Sequence, residues 1–331
     1  MKLPYVSIII PVYNAEKTIG LSLDSLRNQT YPYLELIFIN DASQDESLKM
    51  LKDFRASFDG NKEVIIVLAN HDVNRGVACA RNTGLDLATG KYIYYVDADD
   101  QLDHHAIELL VTKAEKEDFD ILGFNWYLKF SNNERKMIQA TFQDNQDAIR
   151  LMLNGNLRWN LWIFFAKRKL YEDHNIRFIP GKNMGEDLMV SVKLFHYAKK
   201  VGQISDAFYH YGQSNQESLT KVYAEKHIQE VSGNLEEVEN FLKANNNMVD
   251  LENLLAFLKL NIKLPMLISS QKKQYIRWLN LFPEVNKYAM ENKAQSLRIR
   301  FLQFMATKKQ FWFVKLHYYV IIRVVYGIIY H

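Results

Sequence analysis

A single cysteine, Cys79, in 331 residues excludes a disulfide within the chain and any zinc site built on thiolates, and it suits a reducing compartment. Proline (6) and glycine (13) are too scarce for a collagenous or low-complexity chain. No apolar run reaches the ~20 residues that a membrane span needs. At the amino terminus Lys2 precedes only a short apolar stretch between Pro4 and Pro11, below the length of a secretion signal. Leu316 to Tyr330 is strongly apolar but is interrupted by His317 and Arg323. A strong net charge is also missing: at +3, no global field argues for nucleic acid. Acid is missing locally as well. After Glu291 there is none, while Lys293, Arg298, Arg300, Lys308, Lys309, Lys315 and Arg323 follow. From Lys221 onward 16 Lys and Arg stand against 9 Asp and Glu, so residues 1–220 are mildly acidic.

What is present is a 48% hydrophobic composition, enough for one large core or two smaller ones. Val6 to Val12 is a β-branched run, and after it Ile19, Leu23 and Leu26 recur at helical spacing within Ala15–Asn28. The unit repeats with a strand at Leu34–Ile39 and a helix at about 46–58. A third strand at Val64–Leu68 and a helix at about 77–88 follow, then a strand ending at Asp97. Such alternation predicts a mostly parallel sheet flanked by helices, with ligands outside the carboxyl ends of the strands. Those ends present Tyr13-Asn14, Asp41, the Asn74-Arg75-Gly76 loop and Asp97/Asp99/Asp100. Beyond residue 100 the pattern predicts a helix over about 102–117, a strand over 121–130, mostly helix over 144–175 and a strand over 204–211. From Tyr223 on the pattern is helical, with Leu255, Leu258, Ile262 and Leu264 among its apolar positions. The expected organisation is two halves, 1–100 and 101–220, and a helical region at 221–331 with a basic, aromatic tail.

The run Tyr92–Val96 ends in three carboxylates within four positions, Asp97, Asp99 and Asp100. Like charges so close resist desolvation unless something positive sits among them. Mg²⁺ or Mn²⁺, held by one or two carboxylates and completed by water and substrate phosphates, meets that need. A phosphohydrolase using Asp97-x-Asp99 is a rival, but that use wants the pair near the first strand with Thr or Val after it.

Five segments in order carry a resemblance: Ser7–Asn14 (SIIIPVYN), Asn40–Asp45 (NDASQD), Asn74–Asn82 (NRGVACARN), Gly90–Ile93 and Asp97–Asp100 (DADD), with Gly185-Glu186-Asp187-Leu188 completing the set. Over roughly residues 5–220 the chain resembles family 2 glycosyltransferases, which have the GT-A fold, and the likeness makes 1–100 the nucleotide-sugar-binding half and 101–220 the acceptor-binding half. The resemblance implies an inverting, metal-dependent hexosyltransferase that uses a nucleotide diphosphate sugar, UDP-linked by preference. Its acceptor would be a glycan or lipid-linked glycan in bacterial surface polysaccharide synthesis, at the inner face of the cell membrane. It implies donor contacts from Pro11, Tyr13, Asn14, Asp41 (base edge), Asn74, Arg81 and Asp97 (ribose). Asp99 and Asp100 would hold the metal, with His210 as a further candidate, and Asp187 would be the catalytic base. Glu186, Trp159 and Trp162 are acceptor-side candidates, although Trp159 and Trp162 suit core packing equally. Asn40 and Ala42 depart from the family's usual Asp-Asp-Gly-Ser, so a catalytically silent nucleotide- or glycan-binding protein on the same fold stays open. Gln274–Trp278 matches the Gln-x-x-Arg-Trp signature of processive synthases but lies about 87 residues beyond Asp187 with no membrane channel around it, and is expected to be accidental. The basic tail suits a helix lying in an anionic membrane surface; packing on the domain or on a second copy of the chain is its rival.

Overall fold

Strands of β-branched and aromatic residues alternate with helices that carry one apolar stripe, and this alternation sets the architecture of the amino-terminal part. The computed structural model describes residues 3–58, 63–130, 133–212, 225–245 and 248–321. Its contacts divide the chain into two compact units, one of Met1–Asp147 with Trp159–Asn240 and one of Ala148–Arg158 with Phe241–His331.

In the first unit β1 (Val6–Val12), β2 (Leu34–Asn40), β3 (Ile65–Asn70) and β4 (Tyr92–Tyr95) run parallel in the order β3-β2-β1-β4. They are joined by α1 (Ile19–Arg27), α2 (Ser47–Ala56) and α3 (Val77–Leu87). All seven residues of β2 and six of seven in β1 are buried, as expected of strands covered on both faces. Val12 pairs with Asn40 and Asn40 with Asn70, so the carboxyl ends of β1, β2 and β3 lie level and their following loops share one rim.

The sheet continues through strands of mixed direction. After β5 (Gln101–Leu102) and α4 (Ala106–Glu117) come β6 (Ile121–Lys129), β7 (Glu134–Met137) and α5 (Asn145–Asn154). Then follow β8 (Phe164–Lys167), α6 (Arg168–Asp173), α7 (Glu186–Tyr197), β9 (Val201–Gly212) and α8 (Glu225–Asn245). β8 pairs antiparallel with both β4 and β6, β9 runs parallel to β6, and β5 closes the path antiparallel to β9. The helical expectation for 144–175 misses β8. Phe164-Phe165-Ala166 is too short a run to show a period, and only its pairing on both sides makes it a strand. β4 ends two residues before Asp97, which frees the acids to turn.

The second unit contains α9 (Leu251–Lys263), α10 (Lys272–Asn280), α11 (Leu297–Thr307) and α12 (Phe311–His317), and no strand among its described residues. Leu254, Leu255, Leu258 and Ile262 bury one stripe of α9. Trp278, the last residue of the Gln-x-x-Arg-Trp match, is fully buried, and the Lys263 ammonium lies 4.3 Å from its ring centre. Lys263 Nζ also donates to the carbonyls of Leu281 (2.8 Å) and Phe282 (3.3 Å) and to Asn286 Oδ1 (2.5 Å). A buried ammonium needs such a full set of acceptors, so Trp278 is part of the packing around Lys263. Among the described residues no helix is long and apolar enough to cross a membrane.

Candidate active site

The rim above β1–β4 is built loop by loop. After β1, Tyr13 is half exposed and Asn14 adopts φ +47°, a conformation that asparagine tolerates. The Asn14 side-chain oxygen accepts from the Gln44 N–H at 2.8 Å, and its own N–H donates to Ser43 Oγ at 3.1 Å, locking the β1 and β2 loops together. Asn40, where the family often has an acid, donates to Asn70 Oδ1 at 3.2 Å and accepts from the Ser43 N–H at 3.3 Å, stitching the ends of β2 and β3. Ala42 takes φ +57°, where glycine is the easier residue.

Asp41 is turned inward. It is buried, and its carboxylate accepts from His71 Nδ1 (2.6 Å), the Arg75 N–H (2.9 Å) and the Gly76 N–H (2.7 Å). His71 Nε2 in turn lies 2.9 Å from Thr83 Oγ1 on α3. Three donors of the protein thus engage the carboxylate, which holds the 71–76 loop in shape. Asn74 lies exposed on that loop, and Pro11 is half-buried within β1.

Gly76 opens α3 at φ +84°, and a Cβ there would fall 2.4 Å from the Asn183 amide. Asn183 uses the space, accepting the Ala78 N–H at 3.1 Å as a cap supplied from a distant loop. Asn82 fixes the same partner segment from the other side, exchanging hydrogen bonds with the Phe178 carbonyl (2.8 Å) and N–H (2.9 Å). Gly76→Ala is expected to cost about 1–3 kcal/mol for the disallowed backbone alone. It should lower the melting temperature and weaken nucleotide binding together; an unchanged melt would contradict this packing account.

Arg81 is the centre of charge. It is 4% exposed, and its Nη1 donates to Glu186 Oε1 at 2.7 Å and Asp187 Oδ1 at 2.6 Å, while Nη2 lies 3.5 Å from Asp97 Oδ1. The guanidinium lies between the rings of Tyr95 and Phe178, 5.7 and 5.6 Å from their centres. One cation thus faces three acids. Burial, then Asp187, push the Glu186 carboxyl up to about 8, so that Glu186 holds its proton at neutral pH. Burial also raises Asp97 to about 6, against the pull of Arg81 and with the push of Asp99 and Asp187. Asp187 sits in the first turn of α7 and its second oxygen accepts the Leu161 N–H at 3.3 Å. Arg81 therefore meets three acids of the protein. Glu186 is likewise an interior partner of Arg81, with no face for an acceptor.

The acids after β4 divide their labour. Asp100 is buried, its oxygens accepting from Tyr209 O–H (2.7 Å) and the Gly212 N–H (2.7 Å), and burial beside Asp97 and Asp99 pushes it well above the usual carboxylate range. Tyr209 oxygen also accepts the Asp97 N–H at 3.2 Å. Asp100 is thus an anchor of its turn. His210 points to the other face of β9, stacked on Tyr127 and bonded to Asp103 and Glu134 at 3.0 Å each, so it leaves the metal set. Trp162 is core: it is 3% exposed and stacks on Tyr209 at 4.4 Å and Tyr211 at 5.4 Å. Trp159 is half-buried, with its carbonyl accepting Ser191 Oγ–H at 2.9 Å.

A metal would meet Asp99 and Asp97, both partly exposed at the strand end. Among the described residues no three His, Cys, Asp or Glu side chains form a ready-made cage. The excess of acid over cation suits an ion that takes one or two carboxylates and draws its remaining ligands from phosphate and water.

The sheet, parallel through β3-β2-β1-β4 and mixed beyond, has the GT-A fold. The profile of glycosyl transferase family 2 matches residues 7–194, and the chain belongs to that family. It is 32% identical over 228 residues to the uncharacterized glycosyltransferase EpsJ of Bacillus subtilis, covering 66% of this chain and 64% of that protein. It is 30% identical over 212 residues to the poly(ribitol-phosphate) beta-glucosyltransferase of Bacillus spizizenii, covering 62% of this chain and 32% of the relative. The structure of Staphylococcus aureus TarS 1–349 in complex with UDP-GlcNAc superposes with a TM-score of 0.72 at 19% identity, over 95% of this chain and 91% of that one, which shows the fold.

Proposed function

We propose that this protein transfers a sugar, with inversion, from a nucleotide diphosphate donor to a hydroxyl of a glycan or lipid-linked glycan, within bacterial surface polysaccharide synthesis at the inner face of the membrane. The observation that carries the reading is the placement of Asp97 and Asp187 on one arginine. The acid of the strand end and the acid of α7 share Arg81, within 3.5 Å of each. Asp187 would take the proton of the acceptor hydroxyl as that oxygen attacks the anomeric carbon opposite the departing diphosphate. Asp99, with Asp97 beside it, would hold Mn²⁺ or Mg²⁺. When bound, the cation would carry the charge that builds on the diphosphate. Tyr13, Asn14 and Asn74 flank the same rim as donor contacts, and Asp41 shapes the loop on which the base would lie. UDP is the favoured nucleotide: TarS was solved with UDP-GlcNAc, while the more distant mannosyltransferase PcManGT of Pyrobaculum calidifontis, with a TM-score of 0.55, was solved with GDP-Man and Mn²⁺.

The test is a binding panel of UDP, GDP and ADP with and without Mn²⁺. UDP is expected to bind best and at least about tenfold tighter with the metal, and Asp99→Ala to remove that gain. Equal binding with and without Mn²⁺ would count against the metal; a preference for GDP would overturn the choice of base.

A further inference from the structure

The last described helix exposes the side that a soluble helix normally hides. Val314 and His317 of α12 are buried, His317 against Arg298 of α11 at 2.8 Å. The opposite side carries Trp312 and Leu316, 63 and 50% exposed, and the π-helical turn that follows at 318–321 carries Tyr319 and Val320, 48 and 46% exposed. Among the described residues these side chains form an exposed apolar patch, where scattered single apolar residues are the norm. Exposed Lys315 borders it, and exposed Lys308 and Lys309 stand at the turn from α11. No acid follows Glu291.

We infer that α12 and the turn that follows it dock on a membrane, laying Trp312, Leu316, Tyr319 and Val320 into the headgroup boundary of an anionic lipid surface, with Lys308, Lys309 and Lys315 meeting the lipid phosphates. The residue types match the two demands of such a surface: amphipathic aromatic side chains for the interface and basic ones for its charge. Charge decides between this occupant and a second copy of the chain. A two-fold interface would set the same patch against itself, lysine against lysine, with no acid in the segment to offset it.

Full-length protein is mixed with vesicles of phosphatidylcholine alone and of phosphatidylcholine with phosphatidylglycerol, and bound protein is measured by sedimentation. Binding is expected on the anionic vesicles only, weakening as salt rises. Trp312→Glu with Leu316→Glu should reduce it by at least about tenfold, and Lys308→Glu with Lys309→Glu should do so without touching the apolar patch. Far-UV circular dichroism and UDP binding are followed in the same samples, so loss of docking is separated from misfolding and from any failure of the proposed donor site. Three results overturn the inference: equal binding to both vesicle types, a wild-type dimer dissolved by Leu316→Glu, or vesicle binding that appears only after residues 322–331 are removed.

Discussion

Replacing Asp187 by Asn is expected to lower turnover by about 10²–10⁴-fold, the usual contribution of a general base, while the donor KM stays within about twofold. Asparagine keeps the shape of the side chain and an oxygen for Arg81, which Asp187 now meets at 2.6 Å, but it has no basic lone pair for the acceptor proton. The matching control is Glu186→Gln. Glu186 is protonated at neutral pH because burial and Asp187 raise it to about 8, so a neutral amide there should retain most of the activity. Exchange of the two results, with Glu186→Gln inactive and Asp187→Asn active, would transfer the base role to Glu186. The same raised value has a signature in stability. Between the ordinary glutamate range and about pH 8 the folded protein keeps a proton that the unfolded chain releases. The contribution of Glu186 to stability therefore falls as pH rises through that window. Urea unfolding from pH 5 to pH 8.5 should show a flatter profile for Glu186→Gln than for the parent.

How much of this could be read in the sequence follows from range. β1 and β2 stood out as apolar runs because they are buried along almost all of their length, and α3 because Gly76 marks its start. β5 and β8 did not, since strands of two and four residues owe their existence to β9, β4 and β6. The same limit governs the site. The motifs located the acids, yet the direction of each side chain is set by partners some hundred positions away. Asp100 turns to Tyr209 and Gly212, Arg81 to Glu186 and Asp187, and Asn183 to the start of α3. One of these was within reach. In Tyr209-His210-Tyr211 the period of two places both tyrosines on one face and the histidine on the other, so that with Trp162 stacked on the tyrosines, His210 belongs with Asp103 and Glu134. Asp41 was beyond reach, because the three donors that occupy it come from residues 71–76, a loop whose path no periodicity describes.

Arg81→Ala should be the most damaging single change in the first unit. Two of the three acids it serves, Glu186 and Asp187, have side chains only 10 and 14% exposed. Removing the cation from a buried cluster costs about 3–5 kcal/mol, because the Asp187 carboxylate is left uncompensated and Glu186 loses its donor. Loss of fold alone would not separate a structural arginine from one that sets the reaction geometry, and Arg81→Lys does. The ammonium keeps the charge but lacks the planar fork by which one group meets Glu186 and Asp187 through Nη1 and Asp97 through Nη2. If Arg81 positions Asp187, the lysine variant should fold, bind UDP as the parent does, and lose kcat on the order of 10²-fold, as expected of a reacting group displaced by about 1 Å. If Arg81 instead grips the donor diphosphate, the donor KM should rise while kcat holds. The ratio of these two effects in Arg81→Lys, measured at saturating acceptor, therefore decides whether the arginine at the centre of the rim belongs to the donor or to the base.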